Sequence, residues 1–188
     1  MDSQTKKSNI LTSLIDYVEL IVVAICVVIV LFSLVFRTCT VDGDSMNKTL
    51  LNKEMLVVSN LAYTPERQDI IVFHHAENSL NKPLVKRVIG VGGDTVRIDY
   101  NTWEITVTDK NGNSQVLEEG YMYLSSTPSA FSGIKEYVVP EGSLFVLGDN
   151  RNGSLDSRYQ TVGFVDQRSV LGKVFMRVSP ISRFGFID

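Results

Sequence analysis

Three stretches of this chain carry residue types that could do covalent chemistry. The first is Gly43-Asp44-Ser45-Met46-Asn47-Lys48-Thr49-Leu50. A glycine close to a serine lets a carbonyl approach and leaves backbone N–H groups free, as acyl transfer requires. Read alone, Gly-Asp-Ser is equally an ordinary turn. The second is Leu84-Val85-Lys86-Arg87-Val88-Ile89-Gly90. A lysine flanked by Val85, Val88 and Ile89 in a strand is a candidate desolvated amine, because burial disfavours the ammonium form and leaves a usable base. Alone, it reads as an edge-strand lysine that guards against aggregation. The third is the polar run Gly148-Asp149-Asn150-Arg151-Asn152-Gly153-Ser154-Leu155-Asp156-Ser157-Arg158, directly after the apolar Leu144 to Leu147. Asp149, Asn150 and Asp156 could hold a cation, but the regular oxygen spacing of an EF-hand loop is missing. A hydrogen-bonded turn fits it better than a metal site.

Other chemistries are poorly supported. The only histidines are the adjacent His74 and His75, and the only cysteines are Cys26 and Cys39. If helical, the two cysteines lie roughly 20 Å apart, beyond disulfide reach. A cysteine peptidase, a zinc cluster and a disulfide framework all lack their residues. The net charge is −3; residues 1–38 hold Lys6, Lys7 and Arg37 against Asp2, Asp16 and Glu19, so the remainder is also −3. That mild acidity offers nucleic acid no electrostatic footprint.

The elements that must position these residues fall into three regions. Residues 1–13 are polar, and residues 14–37 form a candidate transmembrane anchor. Its centre, Leu20 to Phe36, is 17 residues without a charge, the short end of the spanning range. Tyr17 and Val18 can lengthen it, and Arg37 can snorkel at its end. A buried core helix would show a polar stripe, which is lacking. A cleaved leader would end in small-x-small, whereas Phe36-Arg37-Thr38 stands there. Lys6 and Lys7 are offset by Arg37, Lys48 and Lys53, so charge alone leaves orientation undecided. Residues 38–188 read as an antiparallel, mainly β domain. Met55 to Ser59, Ile70 to Phe73, Leu84 to Val91 and Leu144 to Leu147 are strand-like, and Asp109-Lys110-Asn111-Gly112 follows an alternating run as a hairpin turn. About 96–140 is a less well defined hairpin and loop insertion, with Tyr121 to Phe131 an irregular loop.

In order and spacing, these segments resemble the sequence boxes of the bacterial type I signal peptidases. Ser45-Met46-x-x-Thr49-Leu50 behind an anchor matches the nucleophile box, and Arg67-Gln68-Asp69-Ile70-Ile71-Val72-Phe73 is similar to a strand box. Lys86-Arg87-Val88-Ile89-Gly90-x-x-Gly93-Asp94 matches the lysine box, and Gly148-Asp149-Asn150-Arg151 through Ser154-x-Asp156-Ser157-Arg158 the last. The single anchor and short spacer resemble the compact Gram-positive members. Three positions depart from the pattern. Lys48 and Gly92 stand where prolines are usual, and Gly43 where some members place a serine donor.

The resemblance implies a membrane-bound serine endopeptidase in which Ser45 is the nucleophile and Lys86 its general base, with no cofactor and no metal. It implies that Ser154 orients the lysine amine and that Asp149, Asp156, Arg87 and Arg158 brace the site. Met46, Leu50, Leu84 and Val85, adjacent to the pair, could line shallow pockets for small side chains. The implied partners are secretory preproteins with small-x-small cleavage sites and membrane lipid, beside the protein-export machinery. The implied topology has a cytoplasmic N-terminus and an extracytoplasmic catalytic domain. Two alternatives stand: an inactive anchored homologue that binds signal peptides, and a self-cleaving serine–lysine peptidase of the LexA kind, to which residues 1–38 bear no likeness.

Overall fold

The computed structural model describes residues 2–61, 63–74 and 83–187, with side chains from Ile15 onward except at 31 and 34. Its contacts divide into Met1–Arg37 and Thr38–Asp188. The first unit is one helix, α1 (Asp2–Val35), which begins within the polar N-terminal stretch. Its side chains from Ile15 to Val30 are exposed and, apart from Asp16 and Glu19, uncharged. Among the described residues no helix is long and apolar enough to cross a membrane.

The second unit is built from antiparallel strands in two sheets. The larger contains β1 (Phe36–Thr40), β2 (Met55–Ser59), β3 (Ile70–Phe73) and β4 (Leu84–Val91). The smaller contains β5 (Thr95–Asp99), β6 (Glu104–Thr108), β7 (Ser114–Val116) and β8 (Ile134–Val138). The chain then returns to the larger sheet through β9 (Ser143–Leu147), β10 (Val165–Asp166), β11 (Val170–Ser179) and β12 (Gly185–Phe186). The larger sheet runs β1-β2-β11-β3-β4-β9-β10, with β12 beside β11; the smaller runs β7-β6-β5-β8.

Sequence pattern explains which strands lie inside. β3 is buried at all four positions, and β4 is buried from Val85 to Gly90. A strand covered on both faces has no solvent side and so loses the polar alternation of a half-exposed one. Lys86 and Arg87 are therefore carried into the interior by their apolar neighbours. β5 and β6 alternate instead: Val96, Ile98, Ile105 and Val107 point into a core with Trp103, Phe145 and Leu147. The 96–140 segment is thus a four-stranded sheet that shares its core with β9. Asp109 closes the β6–β7 turn by accepting from the Asn111 and Asn113 N–H groups at 2.8 and 2.9 Å. At Gly90 the β4–β9 register shifts, and a Cβ would stand 2.6 Å from Val96 Cγ2, so only glycine lets the two sheets approach there.

Candidate active site

The turn after β1 puts Ser45 over the interior strand β4. Met46 and Leu50 anchor the turn in the core with Leu56, Val58, Ile70 and Val85. The Leu50 N–H donates to the Met46 carbonyl at 2.8 Å. Lys86, 3% exposed, reaches up from β4 and places Nζ 2.7 Å from Ser45 Oγ. Its other partner is the Val85 carbonyl at 3.1 Å. Burial pushes the Lys86 amine down from 10.5 to about 8; Asp156 and Asp149 pull it partly back, and Arg158 pushes it further. An amine so depressed is deprotonated in part near neutrality and can take a proton from a hydroxyl. A cleft of about 280 Å³ opens on the pair, walled by residues 40–46 on one side and 83–86 on the other.

The polar loop after β9 locks this geometry from behind. The Asn150 N–H donates to the Ser45 carbonyl at 3.0 Å, and Asn150 Nδ2 to the Asp44 carbonyl at 3.1 Å. Asp149 is fully buried and accepts both Arg87 Nε and a terminal Arg87 nitrogen at 2.9 Å, plus Thr49 Oγ1 at 2.6 Å. One carboxylate therefore joins the serine turn, the lysine strand and the loop. Asp156 holds Arg158 through contacts of 2.7 and 2.8 Å and accepts the Gly148 N–H at 3.0 Å. Gly148 is packed so tightly that a Cβ would meet Ser154 Oγ at 2.2 Å and the Ser45 carbonyl at 2.5 Å.

Several expected residues converge here and others do not. Ser45, Lys86, Met46, Leu84 and Val85 all line the cleft. Leu50 is fully buried and is not among its lining residues. Ser154 is buried, yet its Oγ makes no hydrogen bond with the Lys86 amine or any other described group. The expected orienting bond is thus not formed in this geometry, where Nζ bonds Ser45 Oγ and the Val85 carbonyl. His74 follows β3 with an exposed side chain, and its N–H donates to the Ser169 carbonyl; His75 lies outside the described residues. Lys48 sits with Nζ 4.7 Å from the Tyr123 ring centroid.

Sequence reasoning assigns no role to Thr49, Arg151 or Glu119 and weighs Asn150 only as a cation ligand. Thr49, Asn150 and Arg151 sit inside the quoted boxes, which was the available signal. Glu119 had none: it pairs with Arg151, at 2.5 and 2.8 Å, across 32 positions of chain. On the far side of the serine turn, Arg177 and Arg183 both bind Glu54 and donate to the Thr49 carbonyl.

Comparison with known proteins places this chain among the serine peptidases, a class of hydrolases. A family model described as signal peptidase, peptidase S26, matches residues 14–179, and the chain belongs to that family, among the bacterial type I enzymes. It is 39% identical over 174 residues to a signal peptidase I of Bacillus caldolyticus, covering 87% of this chain and 91% of that one. Signal peptidase IB of Staphylococcus aureus (strain MRSA252) is 30% identical, with 92% of this chain and 93% of that one covered. A crystal structure of a signal peptidase I from Enterococcus faecalis V583 aligns at 32% identity over 60% of this chain and 97% of that chain, with a TM-score of 0.44.

Proposed function

We propose that this chain is a membrane-anchored endopeptidase that removes signal peptides from secretory preproteins through a Ser45–Lys86 dyad. The observation that carries the reading is the 2.7 Å contact between Ser45 Oγ and a lysine amine held inside the protein. When that amine is neutral, the Ser45 O–H donates to its lone pair and loses its proton as Oγ attacks the scissile carbonyl. The Ser45 N–H is the oxyanion donor, a role worth roughly 2.7–4 kcal/mol in transition-state stabilisation. Gly43 brings no side-chain donor, so backbone groups carry that work. The Lys86 ammonium then protonates the leaving amine, giving an acyl-enzyme. Water, deprotonated by the same lysine, resolves it. No histidine is needed.

The cleft fits an extended segment laid between residues 40–46 and 83–86, where main-chain hydrogen bonds give affinity and neighbouring side chains set specificity. Met46, Leu84 and Val85 at its floor favour small residues beside the scissile bond. α1 is the anchor: a helix exposed on every described face from Ile15 to Val30, with two charges only, suits lipid better than water. The N-terminus is cytoplasmic and the catalytic domain extracytoplasmic, where preproteins emerge from the export machinery.

The test is cleavage of a preprotein bearing an Ala-x-Ala site by the detergent-solubilised full chain, Ser45→Ala and Lys86→Ala. Wild type should cut after the last alanine, with both folded variants silent. Residual cleavage by Lys86→Ala removes the dyad. An inert wild type across several preproteins leaves a binding homologue instead.

A further inference from the structure

We propose that residues 119–123, between β7 and β8 of the smaller sheet, form a strap that positions the serine turn and the lysine strand for reaction, with Tyr121 and Glu119 as its positioning residues. This inference rests on Ser45 and Lys86 being the reacting pair. The sequence suggests only an irregular surface loop at Tyr121. The structure gives it contacts to each of the three segments that hold the dyad.

The strap touches the lysine strand through Tyr121, whose ring centroid lies 3.7 Å from the Arg87 guanidinium carbon. Arg87 is thereby covered on one face by the aromatic ring and held along its edge by the Asp149 carboxylate, which it binds with two nitrogens. The Tyr121 O–H donates to Glu119 Oε1 at 3.0 Å, so ring and carboxylate support each other. Glu119 in turn grips Arg151, whose side chain is fully buried. Tyr123 completes the strap with its ring 4.7 Å from Lys48 Nζ and with main-chain bonds: its N–H donates to the Asp149 carbonyl at 2.8 Å, and its carbonyl accepts the Arg151 N–H at 2.9 Å. Those two bonds bracket Asn150, whose N–H and side-chain amide hold the Ser45 and Asp44 carbonyls. A path of direct contacts therefore runs from the strap to the serine turn through Asn150. A second runs to the lysine strand through Arg87.

Neither tyrosine nor Glu119 lines the cleft, so the strap acts on the geometry of the pair rather than on the substrate. A misplacement of catalytic groups by about 1 Å can cost around a hundredfold in rate. The strap also touches the charge balance. Lys86 feels Asp149, Asp156 and Arg158, and Asp149 is neutralised by Arg87. If Arg87 leaves Asp149, the uncompensated carboxylate favours the ammonium and raises the lysine. The reaction needs the neutral amine, so its acidic limb moves to higher pH.

The experiment measures kcat and KM for an Ala-x-Ala preprotein from about pH 6 to 10, with the full chain in detergent. The variants are Tyr121→Leu, Tyr121→Phe and Glu119→Gln, each checked for folding by circular dichroism. Tyr121→Leu should lose about tenfold or more in kcat near neutrality with KM within about twofold, and its acidic limb should move up. Tyr121→Phe keeps the ring over Arg87 and should restore most of the rate and the wild-type limb. A folded Tyr121→Leu with unchanged kcat and limb overturns the proposal. So does a change confined to KM, which would make the strap a substrate contact. Should Tyr121→Leu fail to fold, Glu119→Gln decides: a lowered kcat at constant KM supports the strap, and a wild-type kcat sinks it. Parallel assays of Ser45→Ala and Lys86→Ala separate the cases. If they keep activity the dyad itself is wrong; if they are silent while the strap variants match wild type, only the strap is.

Discussion

Lys86 is held where its charged form is least at home. An unfolded lysine titrates near 10.5, whereas in the fold burial brings it to about 8. Below pH 8 the amine is protonated in both states, so the folded state carries the full cost of a buried ammonium. Between about 8 and 10.5 the unfolded chain binds more protons than the folded one, and stability therefore rises with pH across that window. Replacing Lys86 by methionine, of similar length and without charge, removes the cost. We expect Lys86→Met to be more stable than wild type by on the order of 1–3 kcal/mol at neutral pH while cleaving nothing. The gap should narrow as pH climbs towards 10.5. Denaturant titrations of both proteins at neutral and alkaline pH check this, and a variant less stable at both would show that the amine is not desolvated. The same titration sets the activity profile. On the proposed mechanism the rate should rise with pH through about 8, because only the neutral Lys86 amine can take the serine proton.

At the scale of elements, the site is made by close approach between a turn, a strand and a loop. β4 supplies the lysine on one side and Arg87 on the other, since successive strand residues point to opposite faces. The loop after β9 must therefore pass very near the serine turn to bond both. Gly148 is where the loop leaves no room for a side chain, since a Cβ there would meet the Ser45 carbonyl and Ser154. A methyl group there has no room, and overpacking of this kind costs typically 1–3 kcal/mol. Gly148→Ala should lower the unfolding free energy by about that amount and depress kcat about tenfold or more, since the turn itself must give way. Unchanged cleavage kinetics in the folded variant would count against this loop as the support of Ser45. The insertion shows the same logic from the other side. β5 and β6 bury Val96, Ile98, Ile105 and Val107 against β9, and this packing fixes where the following strap crosses Arg87 and Arg151.

At the scale of the whole molecule, the described residues separate into a helix and a β domain with three core clusters, and none of these clusters includes a described residue before Cys39. Deleting residues 1–37 should therefore leave the cooperative unfolding of the β domain in place. It should abolish co-flotation with lipid vesicles, which the full chain is expected to show through α1. Persistent flotation of the shortened protein would place the lipid-binding surface in the β domain instead.

Local strands, one turn and the candidate residue types are legible in the chain before it folds. The runs Met55–Ser59, Ile70–Phe73 and Leu84–Val91 read as strands from their β-branched content and are strands in the structure. The Asp109–Gly112 turn was legible from its side-chain chemistry. Ser45 and Lys86 are each ambiguous alone, a turn serine and an edge-strand lysine, and only the order and spacing of the boxes that resemble the family single them out. Their meeting was not local, for 41 positions separate them, and only the burial of β4 beneath the serine turn decides their 2.7 Å contact and the depressed amine. The 96–140 sheet was half legible, since β8 has no apolar alternation of its own and is recruited by pairing with β5. Glu119 and Tyr121 carry no short-range signal. Their value comes from ion pairing with Arg151 and stacking on Arg87, interactions that exist only once folding has brought distant segments together.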